Sequence, residues 1–317
     1  MKVLSRIGND DLAVVYTART EEGKLLEFVE SLQPPFTRNQ KWTLIVSTLF
    51  GCPIACPICD AGGHYHGRLT CSEILDQIDY MVTRRYPDRV IDVERFKIQF
   101  ARMGDPAFNL NVLDVLQEIP SRYKVPGFWP SISSVAPHGT DDFFSRLAEI
   151  KQAMYRGRFQ LQFSIHTTDT SLRDRLIPTK KWDFEKIAAY GNEFFENGDR
   201  KITLNFALEK DSPVDPEILS GCFDPKIFLI KITPINPTYR SEENGMKSYI
   251  DPERPRGDYE LIERIREYGY DVIVSIGEIG ENYIGSNCGQ YVQRHLSEMG
   301  KIDNAYSYEP SSQVDFQ

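Results

Sequence analysis

The sequence has no long apolar run. Nowhere do about 18 hydrophobic residues follow one another, so no segment is expected to cross a bilayer and no membrane partner is expected. Its opening residues, MKVLSRIGNDDLAVVY, lack the unbroken apolar stretch and small-residue cleavage site of a secretory leader. A cytoplasmic location is the expectation that follows. Basic residues are outnumbered, with 37 Lys and Arg against 46 Asp and Glu, for a net charge of −9 and a pI near 5.2. Gripping phosphate backbones needs clustered Lys and Arg, so this balance counts against nucleic-acid binding as the main task but leaves room for a local basic patch. No internal repeat is visible, and cysteines are few. In a cytosolic chain of 317 residues, the six present are expected to be ligands, nucleophiles or buried thiols rather than disulfides.

The chain is long enough to bury a sizeable core. Residues 12–32 have the pattern of a hairpin, LAVVYTAR and LLEFVESL around a polar TEEGK turn, and the proline-bearing linker QPPFTRNQK follows. Strand-like and helix-like segments then alternate. Candidate strands lie at 43–50, 96–102, 129–134, 159–165, 201–207, 227–233 and 271–276. The clearest helix starts at Thr70, with Glu73 completing a capping box and Ile74, Ile78, Met81 and Val82 on one face. Weaker helical patterns cover 141–153, 182–196, 215–222 and 256–268. Such alternation predicts parallel strands with crossover helices, an α/β sheet or barrel.

The densest chemistry is GCPIACPICDAG, Gly51 to Gly62, directly after the first strand of the alternating region. Three thiolates at Cys52, Cys56 and Cys59, spaced C-x3-C-x2-C, suit an iron–sulfur cubane with one iron left open for a substrate or cofactor. The competing readings are a zinc site completed by His64 or His66, as in a redox-sensing or zinc-binding module, and plain buried cysteines. The motif resembles the signature of the radical S-adenosylmethionine (SAM) superfamily. The resemblance implies a [4Fe-4S] cluster whose open iron binds SAM, and a reducing partner such as flavodoxin or ferredoxin.

Further segments are similar to the RlmN/Cfr branch of that superfamily, whose members methylate an adenine of RNA. MGDPAFNL (103–110) resembles a motif with Gly-Glu before Pro, implying that Gly104 and Asp105 hold the amino group of SAM. SISSVAP (131–137) implies a cofactor contact at Ser131. FSIH (163–166), with RDRLIP downstream, implies that Ser164, Ile165 and His166 line the cofactor, and ITPINP (232–237) implies the same for Asn236. SNCGQY (286–291) is similar to the segment with the branch's methyl-accepting cysteine, which implies that Cys288 takes a methyl group from one SAM before delivering it to an sp2 carbon. The hairpin glutamate that the branch uses on the substrate proton matches Glu27 best, with Glu30 second; a general base there would need burial.

Two departures bear on the substrate. The resolving cysteine of the branch falls at Ile45, which cannot attack a thioether or form a disulfide. Either Cys71 or Cys222 substitutes, or the crosslink is resolved differently, or the outcome is another radical reaction. About ten residues precede the hairpin in this sequence, so the small N-terminal RNA-binding domain of the branch is not expected here. RNA (rRNA or tRNA adenine) therefore stays an alternative to an unidentified, non-ribosomal substrate. The expected architecture is a hairpin extension at 1–41, a partial (β/α)6 radical SAM barrel at 42–300 closed by a C-terminal strand and helix, and a polar, poorly ordered tail at 301–317. GGHYHG is expected to be a loop over the cluster and 240–257 a surface excursion that could serve as a lid.

Overall fold

The computed structural model describes residues 1–254, 259–287, 291–292, 302, 305–308 and 311–312. The chain opens with three antiparallel strands, β1 (Lys2–Gly8), β2 (Ala13–Arg19) and β3 (Leu25–Ser31). Next comes β4 (Lys41–Val46), which pairs antiparallel with β3 on one side and parallel with β5 (Arg95–Phe100) on the other. The parallel run continues in chain order through β6 (Phe128–Ser134), β7 (Gln160–Ser164), β8 (Ile202–Ala207), β9 (Phe228–Thr233) and β10 (Val272–Val274). A short strand, β11 (Ser311–Ser312), pairs with β1 and completes a single 11-stranded sheet.

Helices follow the parallel strands, most of them in the connections from one strand to the next and the last of them after β10. They are α1 (Cys71–Arg85), α2 (Asn111–Arg122), α3 (Asp141–Met154), α4 (Thr170–Leu176), α5 (Phe184–Phe194), α6 (Pro216–Cys222), α7 (Tyr239–Glu243), α8 (Glu260–Glu267) and α9 (Ile279–Ile284). Among the described residues none is long and apolar enough to cross a membrane. The Thr70/Glu73 capping box forms as expected, with the Glu73 N–H donating to Thr70 Oγ1 at 3.2 Å and the Thr70 N–H to Glu73 Oε2 at 2.8 Å.

Strand alternation sorts side chains between two environments. Trp42, Leu44, Val46, Phe96, Ile98, Phe100, Ile132, Phe163, Leu204, Phe206, Ile230 and Ile232 pack in one core with Ile74, Ile78, Met81, Val112 and Ile187 of the helices. Burying each such side chain contributes about 1.5–3 kcal/mol, so this outer face dominates stability. The alternate positions are largely polar: Thr43, Lys97, Gln99, Ser131, Ser133, Gln162, Ser164, Thr203, Asn205 and Lys231. A parallel sheet with one apolar and one polar face is a wall around a polar lumen. This is the partial barrel that the strand pattern predicts.

The seven strands expected from residue 43 onward, six for the barrel and one closing it, are β4 to β10, their ends shifted by a few residues. Strand β1 was not foreseen, because SRIGND carries too little alternation to mark it. The tail differs from expectation as well. Tyr306 is buried, stacks on Tyr239 with ring centroids 5.1 Å apart, and donates its hydroxyl to Asp60 at 2.8 Å.

Candidate active site

Directly after β4 the chain leaves the sheet, and the two peptide N–H groups of Thr48 and Leu49 both donate to the Met103 carbonyl, at 2.9 and 3.0 Å. The loop carrying the three cysteines is thus tied to the turn that ends β5. Tight local bonds shape it: the Cys59 N–H reaches the Cys56 carbonyl at 3.2 Å, the Gly62 N–H the Cys59 carbonyl at 3.1 Å, and the Gly63 N–H the Cys52 carbonyl at 3.2 Å. Its far side is held by α7. Asp60 accepts from the Tyr239 and Arg240 N–H groups at 3.1 and 2.9 Å, and Arg240 Nη2 donates to the Ala55 carbonyl at 2.9 Å. The excursion expected at 240–257 is therefore a brace for the cysteine loop at its start; residues 255–258 lie outside the described part.

Cys52, Cys56 and Cys59 share an apolar nest with Ile54, Ala61, Val135, Leu176 and Ile177. Burial pushes the Cys56 thiol up to about 12, with Cys52 and Asp105 adding in the same direction, and it raises Cys52 too. Thiols in such a nest ionise only when positive charge binds them, which fits metal ligation. Three thiols on one loop, enclosed in an apolar shell, are a donor set that fits an iron–sulfur cluster taking one thiolate per iron.

Beside the thiols lies the MGDP turn. Gly104 has φ +88°, and a Cβ there would stand 2.4 Å from Leu49 Cβ, so only glycine lets the turn press against the cysteine loop. Asp105 is buried. It accepts from the Val135 N–H at 2.8 Å, the Ser134 hydroxyl at 2.8 Å and the Ala107 N–H at 3.0 Å. Burial lifts its carboxyl to about 6 against the pull of those donors. A buried carboxyl with only neutral donors is suited to a cationic group such as the amino end of SAM.

The lumen has unmet hydrogen-bonding capacity. Ser131 Oγ, Ser133 Oγ, Thr203 Oγ1 and Asn205 Oδ1 are buried without a hydrogen-bond partner among the described residues. Orphaned buried polar atoms are costly and rare, and a polar ligand between the strands would satisfy them. Of these four, sequence reading found Ser131 alone. The signal for Thr203 and Asn205 was present in ITLNFA, where polar residues recur with period two in an otherwise apolar strand.

At the end of β7, Ser164 faces the lumen, while the Ile165 and His166 N–H groups donate to the Asn205 carbonyl at 2.8 and 3.3 Å. The Ile165 side chain packs in the main core, so only its backbone can face the lumen. His166 has φ +70° and accepts the Ala207 N–H on Nδ1 at 3.0 Å, while burial lowers it to about 4, with Arg173 nearby adding to the effect. It is a neutral imidazole at physiological pH. Asn236 lies in the segment between β9 and α7, where its carbonyl accepts the Ser241 hydroxyl at 3.0 Å.

The two hairpin glutamates differ. Glu30 faces away from the lumen and binds Tyr16, Arg38 and Arg85 at 2.6–3.2 Å, which removes it as a base candidate. Glu27 is fully buried, not on a solvated face. Its Oε1 accepts from Arg102 Nε at 2.7 Å and its Oε2 from the Val292 N–H at 3.0 Å. Burial raises its carboxyl, opposed first by Arg102. Cys288 lies outside the described residues. A cavity of about 460 Å³ is lined by Arg19, Lys24, Phe50, His66, Met103 and Val292, among others.

Comparison with known proteins agrees with this geometry. No protein-family model matches the chain. A protein named "Probable dual-specificity RNA methyltransferase RlmN" from Mycolicibacterium smegmatis is 26% identical over 278 residues, 79% of this chain and 68% of its own length. Another of that name from Nostoc punctiforme is 28% identical over 259 residues, 78% of this chain and 64% of its own. The crystal structure of a radical SAM methyltransferase from Sphaerobacter thermophilus superposes with a TM-score of 0.67 at 21% identity, covering 91% of this chain and 80% of that one. The chain is RlmN/Cfr-like. It spans about two thirds of the length of the curated relatives it matches, 68% and 64% for the two named. The structural likeness shows the fold, and the names of the relatives support an enzyme, a methyltransferase; similarity to proteins of this kind implies an iron–sulfur cluster and SAM as cofactors.

Proposed function

We propose that this RlmN/Cfr-like protein is a radical SAM methyltransferase with Cys288 as its methyl carrier. The observation that carries the reading is the meeting, at one mouth of the barrel, of three nested thiols, a buried carboxyl and a lumen with unpartnered polar atoms. Cys52, Cys56 and Cys59 would each hold one iron of a [4Fe-4S] cluster. Gly104 and Asp105 would receive the amino group of SAM, and Ser131, Ser164, His166, Asn236 and the backbone at Ile165 would line the remainder. When bound and reduced by a flavodoxin- or ferredoxin-like partner, cluster and SAM together supply a 5′-deoxyadenosyl radical, chemistry that the cofactors own and the protein shields.

The chain's own part is positioning and carriage. Cys288 as carrier would take the methyl carbon of one SAM by thiolate attack, the new C–S bond replacing the sulfonium bond and S-adenosylhomocysteine leaving. Asp105 holds charge, the apolar nest excludes water, and neutral His166 accepts rather than donates at Nδ1. Cys71 sits on α1 and Cys222 on α6, both on the outer helical layer, so neither replaces the missing thiol at Ile45 from within the lumen. That supports a different resolution of the protein–substrate crosslink.

For the substrate, the relatives' name supports RNA, and Arg19 and Lys24 in the cavity lining supply local positive charge within an acidic chain. A nucleotide, anionic with a flat base, suits that lining beside Phe50. The test is anaerobic reconstitution with SAM and a reductant, with and without total RNA. The reading expects 5′-deoxyadenosine and S-adenosylhomocysteine together, both raised by RNA. 5′-Deoxyadenosine without S-adenosylhomocysteine would favour non-methylating radical chemistry, and neither product would refute the assignment.

A further inference from the structure

Arg102 follows β5, one residue before the MGDP turn, and is buried. Its guanidinium uses all three nitrogens: Nε donates to Glu27 at 2.7 Å, Nη1 to the Ser286 carbonyl at 2.9 Å and Nη2 to the Gly285 carbonyl at 2.8 Å. The other carboxylate oxygen of Glu27 accepts the Val292 N–H at 3.0 Å. The pair therefore grips the backbone on both sides of residue 288, upstream at two carbonyls and downstream at one amide. Gly285 ends α9 in the left-handed region at φ +73°, which turns these carbonyls inward.

We infer that Glu27 and Arg102 form a buried clamp on Gly285, Ser286 and Val292, the described residues that flank Cys288 in the chain, so that Glu27 is a positioning residue rather than the base that removes the substrate proton. The inference rests on Cys288 as methyl carrier. Charge-assisted bonds from a planar fork fix direction as well as distance, which a lysine at this position would not. A carboxylate with one oxygen held by a guanidinium and the other by a peptide N–H has its accepting directions engaged by the protein. It is poorly placed to take a proton from carbon.

The test compares the wild type with Arg102→Met, Arg102→Lys and Glu27→Gln. Because a lone buried charge can unfold the chain, Glu27→Leu/Arg102→Met, in which an apolar pair replaces the ion pair, is included. Hydrogen exchange of peptides covering 285–292 should quicken by about tenfold in Arg102→Met and the double variant, against unchanged exchange in β4 to β6, with Arg102→Lys intermediate. Alkylation of Cys288 by iodoacetamide should quicken in parallel, while 5′-deoxyadenosine release persists and methylated product falls. Unchanged exchange in these variants, with Glu27→Gln alone abolishing product, would overturn the clamp in favour of a catalytic base. If wild-type Cys288 never carries a methyl group, the methyl-carrier reading fails, and the exchange data still decide whether the clamp exists.

Discussion

Replacing Gly104 with alanine tests how the cofactor turn is built. The new Cβ would meet Leu49 Cβ and Cγ, both at 2.4 Å, at a backbone φ of +88°. Leu49 cannot easily yield, since it is fully buried and its N–H is bonded to the Met103 carbonyl at 3.0 Å. Left-handed strain costs roughly 1–2 kcal/mol and overpacking about 1–3 kcal/mol more, for a total loss of roughly 2–5 kcal/mol. The matched control is Gly198→Ala, with φ +93° and no atom within 4 Å of the added carbon, where strain alone operates. Urea unfolding of the apo-protein should separate the two variants by about 1–3 kcal/mol, the overpacking part alone. Iron content after reconstitution should fall only in Gly104→Ala, because the turn shares the Met103 carbonyl with the cysteine loop. Equal losses in both variants would refute the close-approach argument.

Other expectations follow from single contacts. Ser131→Ala removes an orphaned buried hydroxyl, so the apo-protein should gain stability while SAM binding weakens by about 0.5–1.5 kcal/mol, measured by calorimetry on reconstituted protein. Cys71→Ser and Cys222→Ser should each leave turnover within about twofold of wild type, since neither thiol lies on the lumen face. His166, depressed from 6.5 to about 4 by burial and then by Arg173, stabilises the fold fully above pH 6.5 and loses that contribution as pH falls through about 4. Wild type should lose about 3 kcal/mol more than His166→Gln between pH 7 and pH 4, and parallel pH profiles would contradict this.

Local pattern carried much of this structure. The barrel strands announce themselves by β-branched runs between helical patterns, and C-x3-C-x2-C together with MGDP marks the site because ligands and close turns need particular residues at fixed spacing. Pairings across long sequence distance were not legible. Nothing near Glu27 shows that Arg102 neutralises it, or that the two hold a segment 183 to 265 residues away from them along the chain. Tyr306 was misjudged for the same reason: its partners, Asp60 and Tyr239, lie far off in sequence. Thr203 and Asn205 could have been found, had polar residues on the inner face of a parallel strand been treated as a lining.

The most direct test of the methyl-carrier assignment is mass spectrometry of the Cys288 peptide after anaerobic incubation of reconstituted protein with methyl-labelled SAM. The account predicts a labelled methyl group on Cys288 that is absent when Cys52, Cys56 and Cys59 are replaced by alanine. An unmodified Cys288 alongside released 5′-deoxyadenosine would contradict it, leaving a radical SAM enzyme without a protein methyl carrier.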